Sequence, residues 1–357
     1  MITRSAARDA LLLWFGSRAG LLVATLLGAS LAGYADKWRK WDTTLFVTIA
    51  EYGYDGEPGS PPDDGLPAFF PGLPMALRLV HLVVPDWAAA GLLVSLVSGA
   101  VAMVALARLA EVEGAPGWMA VLGLLAFPMA VFLAAGYSES LFLAFAIPAW
   151  LAARQGRWPE AALLAAGASC VRITGLFLAV ALVVEYVDYA VRREPPRRAP
   201  WLAVPFLPLL AYSFYQYRRT GDWLAWKHAQ EAGWGRDFAW PWEAWRTTWR
   251  SAMGSGEFAV AFRMEIAGAV VVVAALVWLL AARRWSEAVY AGGQAAALMT
   301  SAYYLSIPRS LLLWFPLWVL LARVSARRPW VMALYVLISG PLMLVNTARF
   351  LSGAWAG

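Results

Sequence analysis

Windows of about 20 residues that are apolar on every side recur along this chain, and that is the length a helix needs to cross about 30 Å of hydrocarbon. A soluble helical protein keeps its apolar residues to one stripe of each helix, whereas stretches such as 87–110 and 264–282 show no such stripe. A chain of this kind is an integral membrane protein. Inside lipid every backbone N–H and C=O must be paired internally, so the expected class is all-α, a polytopic transmembrane helix bundle. Composition points the same way, with 61% of the 357 residues hydrophobic and 15% charged, against about 25% charged in a soluble domain.

Hydropathy and helix breakers predict spans near 11–33, 87–110, 117–135 and 138–153, an interrupted pair at 160–171 and 175–190, then 200–217, 264–282, 286–304, 309–323 and 330–349. Counting the pair as two gives about eleven. The intervening loops are mostly too short to fold separately, so 1–357 is expected to form one domain. The N-terminal MITRSAARDA is basic and leads into an apolar run that passes Leu31 without an Ala-x-Ala stop, which predicts an uncleaved first span.

Orientation follows from charge. Arg4, Arg8, Arg154, Arg157, the arginine-rich run 192–198, Arg283, Arg284, Arg323, Arg327 and Arg328 share one side if the spans alternate, and the positive-inside rule makes that side the cytoplasm. The opposite side then carries two large loops, 34–86 and 218–263. The net charge of +6 resides in these span flanks and not in a solvated basic face, so no nucleic-acid partner is expected. The single cysteine, Cys170, cannot form an internal disulfide. Two histidines, His81 and His228, and no cysteine cluster argue against a zinc site. No internal repeat of the kind found in inverted-repeat transporters is visible.

The outer loops hold Lys37, Arg39, Lys40, Arg218, Arg219, Lys227, Arg236, Arg246 and Arg250, cations placed where orientation gains nothing from them. Either they pair with anionic headgroups of the outer leaflet or they bind a specific anion such as a lipid phosphate. In the first loop Trp41, Leu45, Phe46 and Ile49 recur at helical spacing while Asp42, Thr43 and Thr48 point elsewhere, which predicts an amphipathic helix in the membrane interface. Asp42 opens it. An aspartate there is a favoured helix cap, and it is also a carboxylate held at a lipid–water boundary where it could act as general base; the roles are compatible. Turn formers fill 52–67, and Ala68-Phe69-Phe70-Pro71-Gly72-Leu73-Pro74 opens a second amphipathic helix ending near Val84.

Taken together, Trp41-Asp42, Ala50, Gly53-Tyr54 and the AFFPGLP stretch resemble the first extracytoplasmic loop of the PIG-V type of mannosyltransferase. Residues 132–141, reading FLAAGYSESL, look like that family's tyrosine-serine-glutamate-serine turn, and Arg172-Ile173-Thr174-Gly175 resembles its arginine-x-x-glycine break. Gly221-Asp222, His228-Ala229-Gln230 and Trp234-Gly235-Arg236 are similar to bacterial members. The resemblance implies a polytopic glycosyltransferase of the GT-C type in a bacterial cytoplasmic membrane, working on the outer face. It implies a polyprenyl phosphate mannose donor delivered through lipid, Asp42 as base, and inversion at the sugar. The second outer loop departs from the eukaryotic pattern, which leaves glycolipid, lipoglycan and protein acceptors open. A flippase or transporter of a polyprenyl-linked glycolipid is the alternative class.

Further candidates follow from chemistry. Arg172 lies beside a broken apolar run, where an arginine is expensive unless it lines a polar cavity or has a partner; it is a donor-phosphate contact or a partner of Glu139. Arg309 sits at an outer turn before an apolar run, and Lys227 and His228 in the second outer loop offer a cation and an imidazole to phosphate or sugar. Glu139, Tyr137, Glu51 and Asp55 are candidates for contacts to the acceptor or for support of the site. Glu57 adds a carboxylate to the first loop, but the spacings match no dedicated metal motif. No metal site is therefore assigned, and use of a divalent ion is left open. Trp223, Trp226, Trp234, Trp240, Trp242, Trp245 and Trp249 crowd the second loop, as interface anchors or sugar-stacking faces. The small-residue spacing of Gly16 and Gly20 hints at close helix packing but sets no oligomeric state.

Overall fold

The computed structural model describes residues 4–26, 34–61, 63–192, 198–256 and 258–355. The end of the first expected span, 27–33, and positions 193–197 of the arginine run lie outside the described residues. The elements run α1 (Arg4–Leu26), α2 (Asp42–Tyr52), α3 (Gly72–His81), α4 (Trp87–Val112), α5 (Gly117–Leu125) and α6 (Ser138–Arg154). They continue with α7 (Trp158–Val171), α8 (Gly175–Arg192), α9 (Leu207–Thr220), α10 (Ala225–Trp234) and α11 (Pro241–Met253). The last are α12 (Ala259–Ala281), α13 (Trp285–Met299), α14 (Ile307–Ser310), α15 (Phe315–Arg327) and α16 (Pro329–Leu351). The described residues contain no strand, only an isolated antiparallel bridge between Phe238 and Ser301. The all-α class expected from the sequence is the class observed.

Among the described residues four helices are by themselves long and apolar enough to cross a membrane: Ser5–Leu26, Trp87–Val112, Ala259–Ala281 and Pro329–Leu351. A fifth candidate is the pair Ile307–Leu313 and Phe315–Arg327, bent by 75°. The other expected spans coincide with shorter or interrupted helices. The stretch 117–135 is α5 followed by a 3-10 turn at Ala130–Leu133, broken around Pro128, which has no N–H to give to a helical ladder. The stretch 200–217 likewise starts as 3-10 helix at Ala199–Phe206 before α9 begins. Between α7 and α8 the backbone of Arg172 is extended (φ −150°, ψ 150°), so the interrupted pair is broken where the sequence placed the break. Gly175 is required there, because a Cβ on it would lie 2.4 Å from Ser169 Cα.

The chain divides into two compact units, one of Met1–Val47, Met75–Leu151 and Leu312–Ala356, the other essentially Thr48–Pro74 and Ala152–Leu311. In the first, α1 packs on α4 and α5, and α15 packs on α5, α4 and α16. The contact of α1 with α4 is close because Gly99 has no side chain: a Cβ there would lie 2.2 Å from the Trp14 ring. The buried indole N–H of Trp14 donates to the Leu96 carbonyl at 3.0 Å. Asp86 caps α4, accepting from the Ala89 N–H at 2.6 Å.

In the second unit α8 packs on α13, α7 on the 199–206 segment and α11 on α12. A buried ionic cluster ties three of its segments. Arg154 donates to Glu185 at 2.7 Å and to Glu287 at 2.6 Å, while Ser286 donates to the other oxygen of Glu185 at 2.6 Å. Arg284 pairs with Glu287 as well. Of the cations read above as orientation signals, Arg154 and Arg284 thus also neutralise carboxylates out of contact with water, where an unpaired charge would be costly.

Candidate active site

In the first unit the turn before α2 is fixed by its backbone and by aromatic rings. Trp41 has φ +45°, a left-handed conformation that costs a bulky residue about 1–3 kcal/mol and persists only where the surroundings impose it. Here the Trp41 ring meets Phe350 edge-on at 5.5 Å and lies 5.9 Å from Trp355. Phe350 is fully buried and also receives Trp38, Phe132 and Tyr137 at 6.0, 5.6 and 5.9 Å. The carbonyl of Lys40 accepts from the Tyr137 hydroxyl at 2.9 Å, from the Thr43 N–H at 3.1 Å and from the Thr43 hydroxyl. Thr43 in turn accepts from the Lys40 N–H at 2.8 Å. Asp42, half-buried, is the first residue of α2 and sits between the two anchors.

Gly136 makes room for this arrangement: a Cβ on it would lie 3.1 Å from Gly91 Cα and 3.2 Å from Thr43 Cγ2. The 136–139 turn is therefore seated against the start of α2. Tyr137, expected as an acceptor contact or a supporting residue, supports the Asp42 turn. Glu139 is buried in the first turn of α6, where the helix dipole favours an anion. Trp38, Arg39, Thr43, Val47, Leu77, Trp87 and Gly91 line a recess beside α2, with exposed Arg39 on its wall.

The remaining candidates belong to the second unit. Glu51 is exposed near the end of α2. Asp55 is an ion-pair partner: Arg219 donates to its carboxylate at 3.0 Å and to the Tyr54 carbonyl at 3.0 Å. The Tyr54 hydroxyl donates to the Phe69 carbonyl at 2.8 Å, and the Tyr212 hydroxyl lies 2.8 Å from the Pro67 carbonyl. Burial, then neighbouring Tyr212, pushes the Tyr54 hydroxyl well above its ordinary range, so it stays a neutral donor. The Phe70 ring lies 4.6 Å from that of Tyr212 at a tilt of 46°, and Phe69 lies 5.4 Å from Trp234. The AFFPGLP stretch is thereby locked onto α9 and α10. A Cβ on Gly72 would lie 2.7 Å from the Cys170 carbonyl, which brings this stretch against the end of α7, two residues before Arg172.

Arg172 is half-buried at the α7–α8 break and its charge acts on the buried Tyr290. Glu139 and Arg172 fall in different units. Lys227 pairs with Glu231, and the His228 Nδ1 lies 2.6 Å from an Asp222 oxygen. Asp222 also accepts from the Leu224 N–H at 2.8 Å; the His228 bond first, then this one, holds its carboxyl below its ordinary value. The imidazole is thus oriented through its Nδ1 nitrogen. Arg309, half-buried, lies in α14, three residues after Ser306.

Sequence reasoning missed Phe350, the hub under Trp41, and Glu265, whose carboxylate accepts from the Ser306 and Ile307 N–H groups at 2.7 and 2.8 Å. Glu265 left a signal, a lone acid at the start of an apolar run. Phe350 left none, since it is one aromatic among many. Among the described residues no three His, Cys, Asp or Glu side chains come together as metal ligands.

A family model described as Mannosyltransferase (PIG-V) matches residues 17–191. The match contains the Asp42 turn, the AFFPGLP stretch, Tyr137, Glu139 and Arg172. Comparisons with curated proteins and with solved structures found no match.

Proposed function

We propose that the chain, whose residues 17–191 match the Mannosyltransferase (PIG-V) family model, is a mannosyltransferase of that type and moves mannose from a polyprenyl phosphate donor to an acceptor hydroxyl outside the membrane. The family match and the long apolar helices support a multi-pass membrane glycosyltransferase. In the proposed reaction Asp42 takes the proton of the acceptor hydroxyl as that oxygen attacks the anomeric carbon. The bond from that carbon to the phosphate oxygen breaks with inversion, polyprenyl phosphate departs, and the proton ends on the Asp42 carboxylate. The donor arrives activated, so the protein needs one base, a grip on the sugar and cations against the departing phosphate. No nucleotide-binding fold is called for. Arg172 and Arg309, with Lys227 and His228, are proposed for the phosphate and sugar, and a glycolipid or another extracytoplasmic molecule is proposed as acceptor. A GT-C architecture and an outer-face site in a bacterial cytoplasmic membrane belong to the same reading.

One observation carries the reading: Asp42 is held between a left-handed Trp41 and a Lys40 carbonyl bonded by Tyr137 and Thr43. Backbone strain maintained by its surroundings clusters at functional sites, and it supports Asp42 as a positioned group. The test is to incubate the purified protein with defined polyprenyl phosphate sugars and a native membrane extract and to identify the product. Mannosylated product from polyprenyl phosphate mannose supports the reading. Translocation of the lipid in acceptor-free liposomes with no sugar transfer would instead identify a flippase.

A further inference from the structure

After α13 the chain turns through residues 300–306 before α14, and this short stretch is tied down from several directions. The Thr300 carbonyl accepts from the Ala239 N–H at 2.7 Å, and the Tyr304 N–H donates to the buried Thr248 hydroxyl at 2.8 Å. The Tyr303 hydroxyl donates to the Trp234 carbonyl at 3.3 Å, and Arg236 donates to the Leu305 carbonyl at 3.4 Å. The loop between α9 and α12 thus grips the turn. The last tie comes from α12, where the two oxygens of Glu265 accept from Ser306 and Ile307.

Glu265 is only 4% exposed, and a buried carboxylate is tolerated where hydrogen bonds compensate its lost hydration. Its two bonds require consecutive N–H groups to point the same way, and Ser306 meets that requirement with φ +63°, a conformation a non-glycine residue holds only under constraint. One turn along α12, Gly268 receives Pro308: a Cβ there would lie 3.0 Å from Pro308 Cγ. The same face of α12 therefore supplies a carboxylate for the start of α14 and a notch for its second residue. The next residue is Arg309.

We propose that Glu265 is a positioning residue for sugar transfer, fixing the turn that presents Arg309 to the phosphate of the lipid-linked donor. This rests on the reading of Arg309 as a phosphate contact. A carboxylate serves here because it accepts two backbone donors at once, whereas an amide in its place turns one of its two groups into a donor facing a donor.

The experiment measures binding of a polyprenyl phosphate, the shared part of donor and leaving group, to the full-length protein in nanodiscs, for Glu265→Gln, Arg309→Ala and the double variant. Arg309→Ala should weaken binding about tenfold and Glu265→Gln about fivefold. The double variant should bind like Arg309→Ala alone, because Glu265 acts through Arg309. A fivefold loss from Glu265→Gln that persists in the Arg309→Ala background overturns the proposal, as does a Glu265→Gln protein that binds like the parent. Arg309→Ala binding at the parent's strength removes the phosphate reading of Arg309 and the proposal with it, while Asp42 as base would stand. If Glu265→Gln does not fold, Gly268→Ala shifts the same turn through Pro308. It must show a loss that vanishes when Arg309 is absent, and an undiminished loss there overturns the proposal equally.

Discussion

The Tyr137 hydroxyl donates a 2.9 Å hydrogen bond to the carbonyl of Lys40, two residues before Asp42. It joins the 136–139 turn to the start of α2, and Tyr137 thereby supports the turn that carries the proposed base.

Tyr137→Phe removes that bond and leaves the ring against Phe350 in place. A hydrogen bond of this kind is worth about 0.5–1.5 kcal/mol net. The variant should fold, melt a few degrees lower and transfer sugar several-fold more slowly at unchanged donor affinity. Steady-state kinetics with a melting curve check this; an unchanged turnover number would separate Tyr137 from the Asp42 turn.

Glu287→Ala tests the buried ionic cluster. It strips Arg154 and Arg284 of a shared partner whose side chain is 1% exposed, and breaking a buried pair from one side costs about 3–5 kcal/mol. The expected outcome is a sharply lower melting temperature and yield, with transfer per folded molecule retained. A melting temperature equal to the parent's would mean the cluster contributes nothing to stability.

Asp222 gives a pH dependence with a definite sign. Its carboxyl is held below the ordinary value, by His228 first and the Leu224 N–H second. The resulting stabilisation is present above the unfolded-state value of about 3.9 and is lost as pH falls through the lower folded-state value. Melting curves of the parent and Asp222→Asn should differ at pH 5, and the difference should start to shrink only below about pH 4 and vanish below the folded-state value. The pair is exposed, so the difference is small and shrinks with salt. A gap that widens on acidification would reverse the assignment.

Gly175→Leu tests the break beside Arg172. A side chain there begins 2.4 Å from Ser169 Cα, so the α7–α8 junction must open. The variant should lose folded yield and donor binding together; normal binding would show that the break does not set the position of Arg172.

The class of the molecule was legible because apolar length and charge placement report directly on lipid. So was the α7–α8 break, where Arg172-Ile173-Thr174-Gly175 interrupts hydropathy and helix in the same place. The interruption of the 117–135 stretch around Pro128 was not legible, since hydropathy does not register the loss of a single N–H. That a helix opens at Asp42 was legible from the amphipathic pattern that follows Trp41, but what holds its first turn was not. Phe350, about 300 residues away in sequence, touches Trp41 only through the fold. The pairing of Asp55 with Arg219 was not legible, because Arg219 lies far along the chain. Glu265 was visible as an acid in an apolar run, yet its partners are backbone N–H groups, which no side-chain pattern announces.

The most direct measurement is single-turnover transfer from polyprenyl phosphate mannose by the parent and by Asp42→Asn, with donor binding recorded in parallel. If Asp42 takes the acceptor proton, transfer falls by about 100-fold or more while donor affinity stays within about twofold. Transfer by Asp42→Asn at the parent's rate would contradict the account.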